Sequence, residues 1–437
     1  MEWWLILIVI FCCMVFLFLL GVPVAFAFLL INIVGFYIFG GGEAGVRQLI
    51  LSLYASVTKF TILPLPLFIL MGEVMFQSGI ARNMMDALDK WLGRLPGRLS
   101  LLAVVGGSLF GTLSGSSMAG AAMLGSVLVP EMEKRGYKSQ MSIGPILGSG
   151  GLAIMIPPSI LGVLLAAVGL FSVGDFLIAI IIPGLLMALC YGSYIILRSL
   201  IQPHLAPTYD VAHVSLKEKL SLTLKYILPL AAIVFLVVGL IFLGVATPSE
   251  SAALGAVGCF VLAFIYRGFK WEIVRKSLTQ TISISAMMLM IFCGSGAFSQ
   301  IMALIGATQG LVEMAANLPL PPYYVLIAML IVLLIMGTFM ESMTIIMITL
   351  PIYMPIIKAL GFSPLWFGAI MLLSLEMGIT TPPFGLVLFV VKGVAPKYVT
   401  MMDVYKAGIP FLLCDLVVII LLLAFPALAL WLPGLMN

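Results

Sequence analysis

The amino-acid sequence predicts an all-α protein that crosses a membrane many times. Of its 437 residues, 63% are hydrophobic and only 9% are charged, whereas a soluble globular domain carries roughly a quarter charged residues. This deficit leaves too little polar surface to face water, so a soluble enzyme, a disordered protein and a nucleic-acid binder are excluded. Because one crossing needs about 20 mostly apolar residues, the chain has room for roughly a dozen passes.

Uncharged apolar stretches mark the candidate membrane segments. They are residues 4–20, 22–40, 60–77, 99–130, 139–171, 176–197, 226–244, 251–266, 278–305, 323–357, 363–391 and 408–431. The six cysteines lie inside such stretches without metal-like spacing, and the two histidines share one polar loop. A histidine-based catalytic or metal site is therefore not expected, nor is any enzyme activity.

Two stretches, 99–130 and 323–357, are too long for one comfortable crossing and too short for two. Each has small or polar residues at its middle, at 114–117 and at 337–342 respectively. This pattern predicts a re-entrant helical hairpin, which a membrane tolerates only where it is buried in protein or lines a wet cavity. The alternative is one long, tilted helix with a kink.

The basic residues predict the orientation. Loops 80–98, 131–138, 198–225, 267–276 and 392–406 hold 18 of the 21 lysines and arginines. These loops are expected on the cytoplasmic side by the positive-inside rule. The first hairpin is then rooted on the cytoplasmic side and the second on the outside, and both termini are expected to be periplasmic.

The two halves of the chain repeat each other at a nearly constant offset. Pro157 and Pro382 lie 225 residues apart, as do Pro130 and Pro355. Because the equivalent hairpins are expected to enter from opposite sides, the sequence predicts an inverted repeat. That arrangement is typical of secondary transporters, whose binding sites lie near the midplane at broken helices.

Each half contains a segment that is expected to break a helix. Glycines and a Pro-Pro pair occur together at 148–159 and again at 377–385, and both residue types disfavour a continuous helix. Unwound backbone exposes carbonyl oxygens that suit Na⁺, and the N-terminus of the following half-helix attracts an anion. A simple proline kink in a packed helix is the alternative.

Polar residues at membrane depth narrow the candidate site, because embedded ionisable groups are costly and usually functional. Glu341 lies at a predicted hairpin tip, and Glu376 lies about one turn before the second break, so both are candidates for a cation site. Helix capping or an interfacial position accounts for Glu73, Glu250 and Asp415 equally well. The hydroxyl groups expected at the cavity belong to Ser114, Ser116, Ser117, Ser342, Thr380 and Thr381.

Four motifs make the chain resemble a known family. They lie at 21–26 (GVPVAF), 156–159 (IPPS), 246–253 (ATPSESAA) and 380–385 (TTPPFG). Together they are similar to the large, DctM-like membrane subunit of TRAP (tripartite ATP-independent periplasmic) transporters, from the first apolar stretch to the last. The resemblance implies an elevator-type, Na⁺-coupled importer of an organic anion in the bacterial inner membrane.

The resemblance also implies partners and binding residues. The partners are a small four-helix membrane subunit and a periplasmic substrate-binding protein, and the substrate is a sialic acid, a C4-dicarboxylate or another sugar acid. The first Na⁺ site falls on Ser114, Ala153, Ile156 and Pro158, and the second on Gly337, Gly378, Thr381 and Pro383, with Glu341 beside it. Ala153 and Glu341 depart from the family pattern, which has Gly and Asp there.

We expect Ser116, Ser117, Ser342 and Thr380 to bind the substrate. No cofactor is expected besides Na⁺ as the coupling ion. The predicted organisation has scaffold helices at 1–78, 176–277 and 393–437 and transport regions at 79–175 and 278–392. A single-component Na⁺- or H⁺-coupled symporter that needs no binding protein is the alternative function.

Overall fold

A computed structural model describes residues 2–93, 95–114, 117–207, 215–268 and 270–436, without the side chains at 81–82, 110–114 and 267. Within these ranges every regular element is a helix, as the sequence predicts. The α-helices of the first half are α1 (Trp3–Leu19), α2 (Val24–Phe39), α3 (Glu43–Val57), α4 (Pro64–Ser78), α5 (Ile80–Leu92), α6 (Arg98–Ser114), α7 (Ser117–Lys134), α8 (Ser139–Ser142), α9 (Gly144–Met155), α10 (Ile160–Gly169), α11 (Val173–Ala179) and α12 (Ile181–Ile201).

The second half has the same character. Its α-helices are α13 (Leu216–Leu222), α14 (Leu228–Phe242), α15 (Pro248–Arg267), α16 (Trp271–Leu304), α17 (Ala307–Asn317), α18 (Pro322–Gly337), α19 (Ser342–Ala359), α20 (Pro364–Thr380), α21 (Leu386–Val394), α22 (Met401–Ala424) and α23 (Ala427–Leu430). A π-helical turn at Thr223–Ile227 joins α13 to α14.

The helix lengths agree with a membrane protein. Seven helical segments of the described chain are long and apolar enough to cross a membrane, and the bent pair 139–155 and 160–169 adds an eighth if it is one span. Several other apolar helices, including α1, α2, α18 and α20, are shorter. The all-α membrane class is confirmed, whereas the orientation and the scaffold and transport regions remain predictions.

Three segments that the sequence assigned to loops contain helices. They are α3 within 40–59, α5 within 80–98 and α13 within 198–225. In α5 the apolar residues recur at helical spacing, so Met84 and Met85 are buried although the segment is too polar to be a span. A search for uncharged stretches misses such amphipathic helices.

Both predicted hairpins consist of two helices that contact each other. The first pair is α6 and α7, and its connection at 115–116 lies outside the described residues. The second pair is α18 and α19, joined by the turn from Thr338 to Glu341. The helix in 323–357 is therefore interrupted between Gly337 and Ser342, while the re-entrant hairpin and its alternative, one tilted helix with a kink, remain predictions.

The two predicted helix breaks are present. Between α9 and α10 the chain leaves the helical path at 156–159, and the helix axes differ by 46°. Between α20 and α21 the interruption runs from Thr381 to Gly385. The Pro157–Pro158 and Pro382–Pro383 peptide bonds are both cis.

The helices around the breaks pack as two matching groups. In the first group α6 and α7 contact α9, and in the second α18 and α19 contact α20. The half-helix after each break packs against the other group: α10 contacts α19 of the second group, and α21 contacts α7 of the first. The repeat that the sequence predicts therefore has a counterpart in the packing.

An outer wall of helices positions the two groups. Helix α4 packs against α15 and α16, and α16 also packs against α2. The buried Asn32 of α2 donates a hydrogen bond to the Gly294 carbonyl of α16 over 2.8 Å. Helix α4 also contacts α6 and α10, which places this wall beside the first helix break.

Candidate functional site

A cavity of about 670 Å³ lies between the two groups and the outer wall. We call it the central cavity. Its inner side is formed by the start of α7, the start of α19 and the residues on either side of both helix breaks. Its outer side is formed by the start of α2, by α4 between Ile69 and Gln77, and by α16 between Gln280 and Ile291.

Five helices begin at the central cavity. The first residues of α2, α7, α10, α19 and α21 all line it. The first N–H groups of a helix have no partner within the helix, and the aligned peptide dipoles place roughly half a positive charge at that end. The cavity is therefore a favourable environment for an anion even without a basic side chain.

The tip of the second helix pair places polar groups in this cavity. Glu341 precedes α19 and accepts a hydrogen bond from the Met343 backbone N–H over 3.0 Å. Ser342 is 1% exposed, and its hydroxyl has no hydrogen-bond partner. A buried hydroxyl without a partner is costly, so Ser342 is suited to bind a ligand.

The outer wall adds acid and amide groups. Glu73 and Gln77 of α4 line the cavity, and Gln77 donates a hydrogen bond to Glu73 over 3.3 Å. Gln280 of α16 lies on the same side. The described residues that line the cavity include no lysine, arginine or histidine. An anion would consequently be held by helix ends, hydroxyls and bound cations.

The predicted first Na⁺ site lies at the end of α9. Ala153 is buried in the last turn, and Ile156 and Pro158 form the break. The Ala153 carbonyl has no helical donor, because Pro157 lacks an N–H. Ser114 ends α6, which packs along α9, but its side chain lies outside the described residues.

The predicted second site brings two backbones into contact. A Cβ added to Gly337 would lie 2.5 Å from the Cα of Gly378, so only glycines allow α18 and α20 to approach this closely. The Gly378 carbonyl accepts a hydrogen bond from Thr381 instead of the usual residue four positions later, since that residue is Pro382. The Thr381 hydroxyl donates to the Met377 carbonyl, and the Pro383 carbonyl accepts from Tyr405.

The predicted substrate-binding residues are distributed unevenly. Ser117 and Ser342 line the central cavity, whereas Ser116 lies outside the described residues. Thr380 is not among the cavity-lining residues, and its hydroxyl donates to the Glu376 and Met377 carbonyls of its own helix. Ser117 donates to the buried carboxylate of Glu376 over 2.9 Å, which links the tip of the first pair to α20.

The remaining embedded acids have separate environments. Glu250 forms a capping box with Thr247 at the start of α15, so helix capping accounts for it. Asp415 lies inside α22, is 3% exposed and accepts a hydrogen bond from Tyr191, so neither capping nor an interfacial position describes it. Glu73 lines the central cavity. The residues around it in the sequence do not predict this position.

Comparisons with known proteins agree with this architecture. Residues 11–428 match the family described as tripartite ATP-independent periplasmic transporter, DctM component. The chain is 35% identical to the C4-dicarboxylate TRAP transporter large permease protein DctM of Pseudomonas aeruginosa, over 89% of this chain and 90% of that protein.

More distant relatives extend the comparison. The ectoine TRAP transporter large permease protein TeaC of Halomonas elongata is 28% identical, over 97% of each chain. A crystal structure of the Alcanivorax borkumensis YdaH transporter shares the fold with a TM-score of 0.65 at 16% identity, covering 88% of this chain and 89% of that one.

Proposed function

The chain belongs to the DctM component family of TRAP transporters, and from this premise we propose that it is the permease of a Na⁺-coupled importer of small organic anions. Its homologues are transporter permeases rather than enzymes. A C4-dicarboxylate is the first candidate substrate, because the Pseudomonas aeruginosa relative is named for it. Sialic acid and other sugar acids, which also carry a carboxylate, are further candidates.

The observation that carries this proposal is the convergence of five helix N-termini on one cavity. A carboxylate there would accept hydrogen bonds from backbone N–H groups and lie at the positive ends of several helix dipoles. The unpartnered hydroxyl of Ser342 adds one donor. These groups replace the arginine that a carboxylate site commonly uses.

Na⁺ coupling is supported by the chemistry of the two breaks. The Ala153 carbonyl has no helical donor because Pro157 lacks an N–H, and at the second break Pro382 leaves the Gly378 carbonyl with only the Thr381 N–H. A buried carbonyl oxygen without a donor is costly. A dehydrated Na⁺ can satisfy the Ala153 oxygen and can use the second lone pair of the Gly378 oxygen. The cation would also offset the negative charge of Glu341 before the substrate anion enters.

We further propose an elevator mechanism, in which the two helix pairs and the broken helices move together against the remaining helices. Their mutual packing, with α10 on α19 and α21 on α7, supports movement as one body. A small membrane subunit would hold the scaffold, and a periplasmic binding protein would deliver the substrate, as the word tripartite in the family description suggests.

Reconstitution tests this proposal. The ligand of the cognate binding protein is identified by thermal shift across a set of organic acids, and uptake of that acid is measured in proteoliposomes that contain both membrane subunits. We expect uptake to require the binding protein and an inward Na⁺ gradient. Equal uptake in K⁺-only buffer would reject Na⁺ coupling, and full uptake without the binding protein would favour the single-component symporter.

A further inference from the structure

A second, smaller pocket lies inside the helix groups, away from the central cavity. Its volume is about 10 Å³, and Gly151, Tyr191, Glu376, Thr380 and Asp415 are among the residues that line it. We call it the acidic pocket. The volume is close to the lower limit for one water molecule, so only a single small occupant fits.

The acidic pocket contains two buried carboxylates. Glu376 is 1% exposed and Asp415 is 3% exposed. No ion pair joins either of them to a lysine, arginine or histidine in the described part of the chain, and none of those residue types lines the pocket. Burying negative charge without a compensating positive charge is unfavourable, so a cation beside these two carboxyl groups would lower the cost of their ionisation.

The hydrogen bonds leave one oxygen available. Ser117 donates to Oε2 of Glu376, and Tyr191 donates to Oδ1 of Asp415. Oε1 of Glu376 is buried and has no hydrogen-bond partner. Gly151 makes room for this carboxylate, since a Cβ there would lie 2.8 Å from the Glu376 Cγ.

We propose that the acidic pocket binds one monovalent cation, Na⁺ in the first place. Glu376 and Asp415 supply carboxylate oxygens and Tyr191 supplies a hydroxyl oxygen, which are hard ligands that suit such an ion. The pocket adjoins the two sites predicted at the helix breaks through α9 and α20, but Tyr191 of α12 and Asp415 of α22 belong to neither of them. It does not depend on the proposed transport function.

Na⁺-dependent stability of the purified full chain tests this site directly. The melting temperature is measured in detergent at fixed pH while NaCl replaces choline chloride at constant ionic strength. Asp415→Asn keeps an acceptor for Tyr191 and removes the charge, and Glu376→Gln does the same on α20. Glu313→Gln, which removes an exposed acid of α17, is the matched control.

We expect both pocket variants to raise the Na⁺ concentration at half-maximal stabilisation by about tenfold or more, the scale seen when a metal site loses a supporting group. The control should titrate like the wild type. Combining Asp415→Asn with Gly378→Ala, which alters the predicted second break site, should weaken the Na⁺ response beyond either change alone.

Two outcomes would overturn the proposal. In one, both pocket variants keep the wild-type Na⁺ titration. In the other, the variants change only the pH dependence of melting, which would assign a proton to the pocket. Uptake and melting also separate this site from the proposed function. If uptake did not need Na⁺ but the pocket variants still weakened the Na⁺-dependent stabilisation, the transport coupling would be rejected and the cation site would be supported.

Discussion

The two helix breaks share a sequence pattern but differ in their surroundings. In the first break Pro157, Pro158 and Ser159 are buried, whereas Pro383 and Phe384 of the second break are exposed. The ring of Phe384 lies against Phe339 at the tip of the second helix pair, with centroids 5.2 Å apart. Similar sequences therefore occupy unequal environments, which the predicted inverted repeat would produce if it opened to one side of a membrane at a time.

The largest expected difference between the repeats concerns equivalent positions Ala153 and Gly378, which lie 225 residues apart. Gly378→Ala would place a methyl group 2.7 Å from the Gly337 Cα. We expect it to lower the free energy of unfolding by about 3 kcal/mol, the upper part of the usual range for overpacking, and to abolish uptake. Ala153→Gly should cost only about 1 kcal/mol, the helix propensity difference.

Denaturant unfolding in detergent and uptake in proteoliposomes measure both effects. Gly393→Ala is the control, since nothing lies within 4 Å of a Cβ at that position of α21. It should leave uptake unchanged and raise the free energy of unfolding by at most about 1 kcal/mol, the same helix propensity difference. If Gly378→Ala were as mild as Ala153→Gly, the close approach of α18 and α20 would not matter for the fold or for transport.

The serines at the two helix pair tips provide the second test. Ser117→Ala would leave the buried carboxylate of Glu376 without its hydrogen-bond donor, which should cost about 1–3 kcal/mol. Ser342 has no partner to lose, so Ser342→Ala should raise the free energy of unfolding by about 1 kcal/mol, because a buried hydroxyl without a partner is costly. The same variant should raise the substrate KM for uptake, because Ser342 lines the central cavity.

Unfolding free energies and substrate titrations of uptake separate these two roles. Ser126→Ala serves as a control for loss of a hydroxyl, since Ser126 is exposed and bonds only to the Met123 carbonyl of its own helix. A destabilised Ser342→Ala variant with unchanged KM would contradict the assignment of Ser342 to ligand binding.

The third test compares the caps of the two half-helices. Ser159 accepts a hydrogen bond from the Gly162 N–H at the start of α10, over 3.0 Å, whereas Gly385 begins α21 without a side-chain cap. Ser159→Ala should cost about 1 kcal/mol, and Ser159→Gly only a few tenths. Melting curves of the wild type and the two variants check this order. If Ser159→Ala were as stable as the wild type, the cap would contribute nothing to stability.

Local patterns in the sequence predict most of the architecture. Apolar stretches identify the membrane helices, and the Pro-Pro pairs mark both breaks because proline acts on the turn that contains it. The helices α3, α5 and α13 are missed because their polar faces hide them from a search for apolar stretches. The predicted orientation of each helix pair is defined relative to the bilayer. The packing of the helices against each other contains no information about it.

The site is predictable only in part, because it is assembled from distant segments. Ser117, Glu341 and Ser342 are found at the central cavity, since a polar group at membrane depth needs a cavity or a polar partner. Glu73 and the pairing of Tyr191 with Asp415 depend on how α4 and α22 pack. No spacing along the chain encodes a contact over 224 residues.

The smallest expected effect concerns the hydrogen bond that ties the second break to α22. Tyr405 donates to the Pro383 carbonyl over 2.6 Å at a solvent-accessible position, and the removal of such a bond by Tyr405→Phe should cost about 0.5–1.5 kcal/mol. The change also frees a carbonyl oxygen of the predicted second Na⁺ site. Uptake should therefore shift in its Na⁺ dependence more than in its maximal rate, and Tyr398→Phe, at an exposed tyrosine outside the break, is the control. A lower maximal rate with unchanged Na⁺ dependence would mean that Tyr405 supports the exposed break itself and has no influence on the ion.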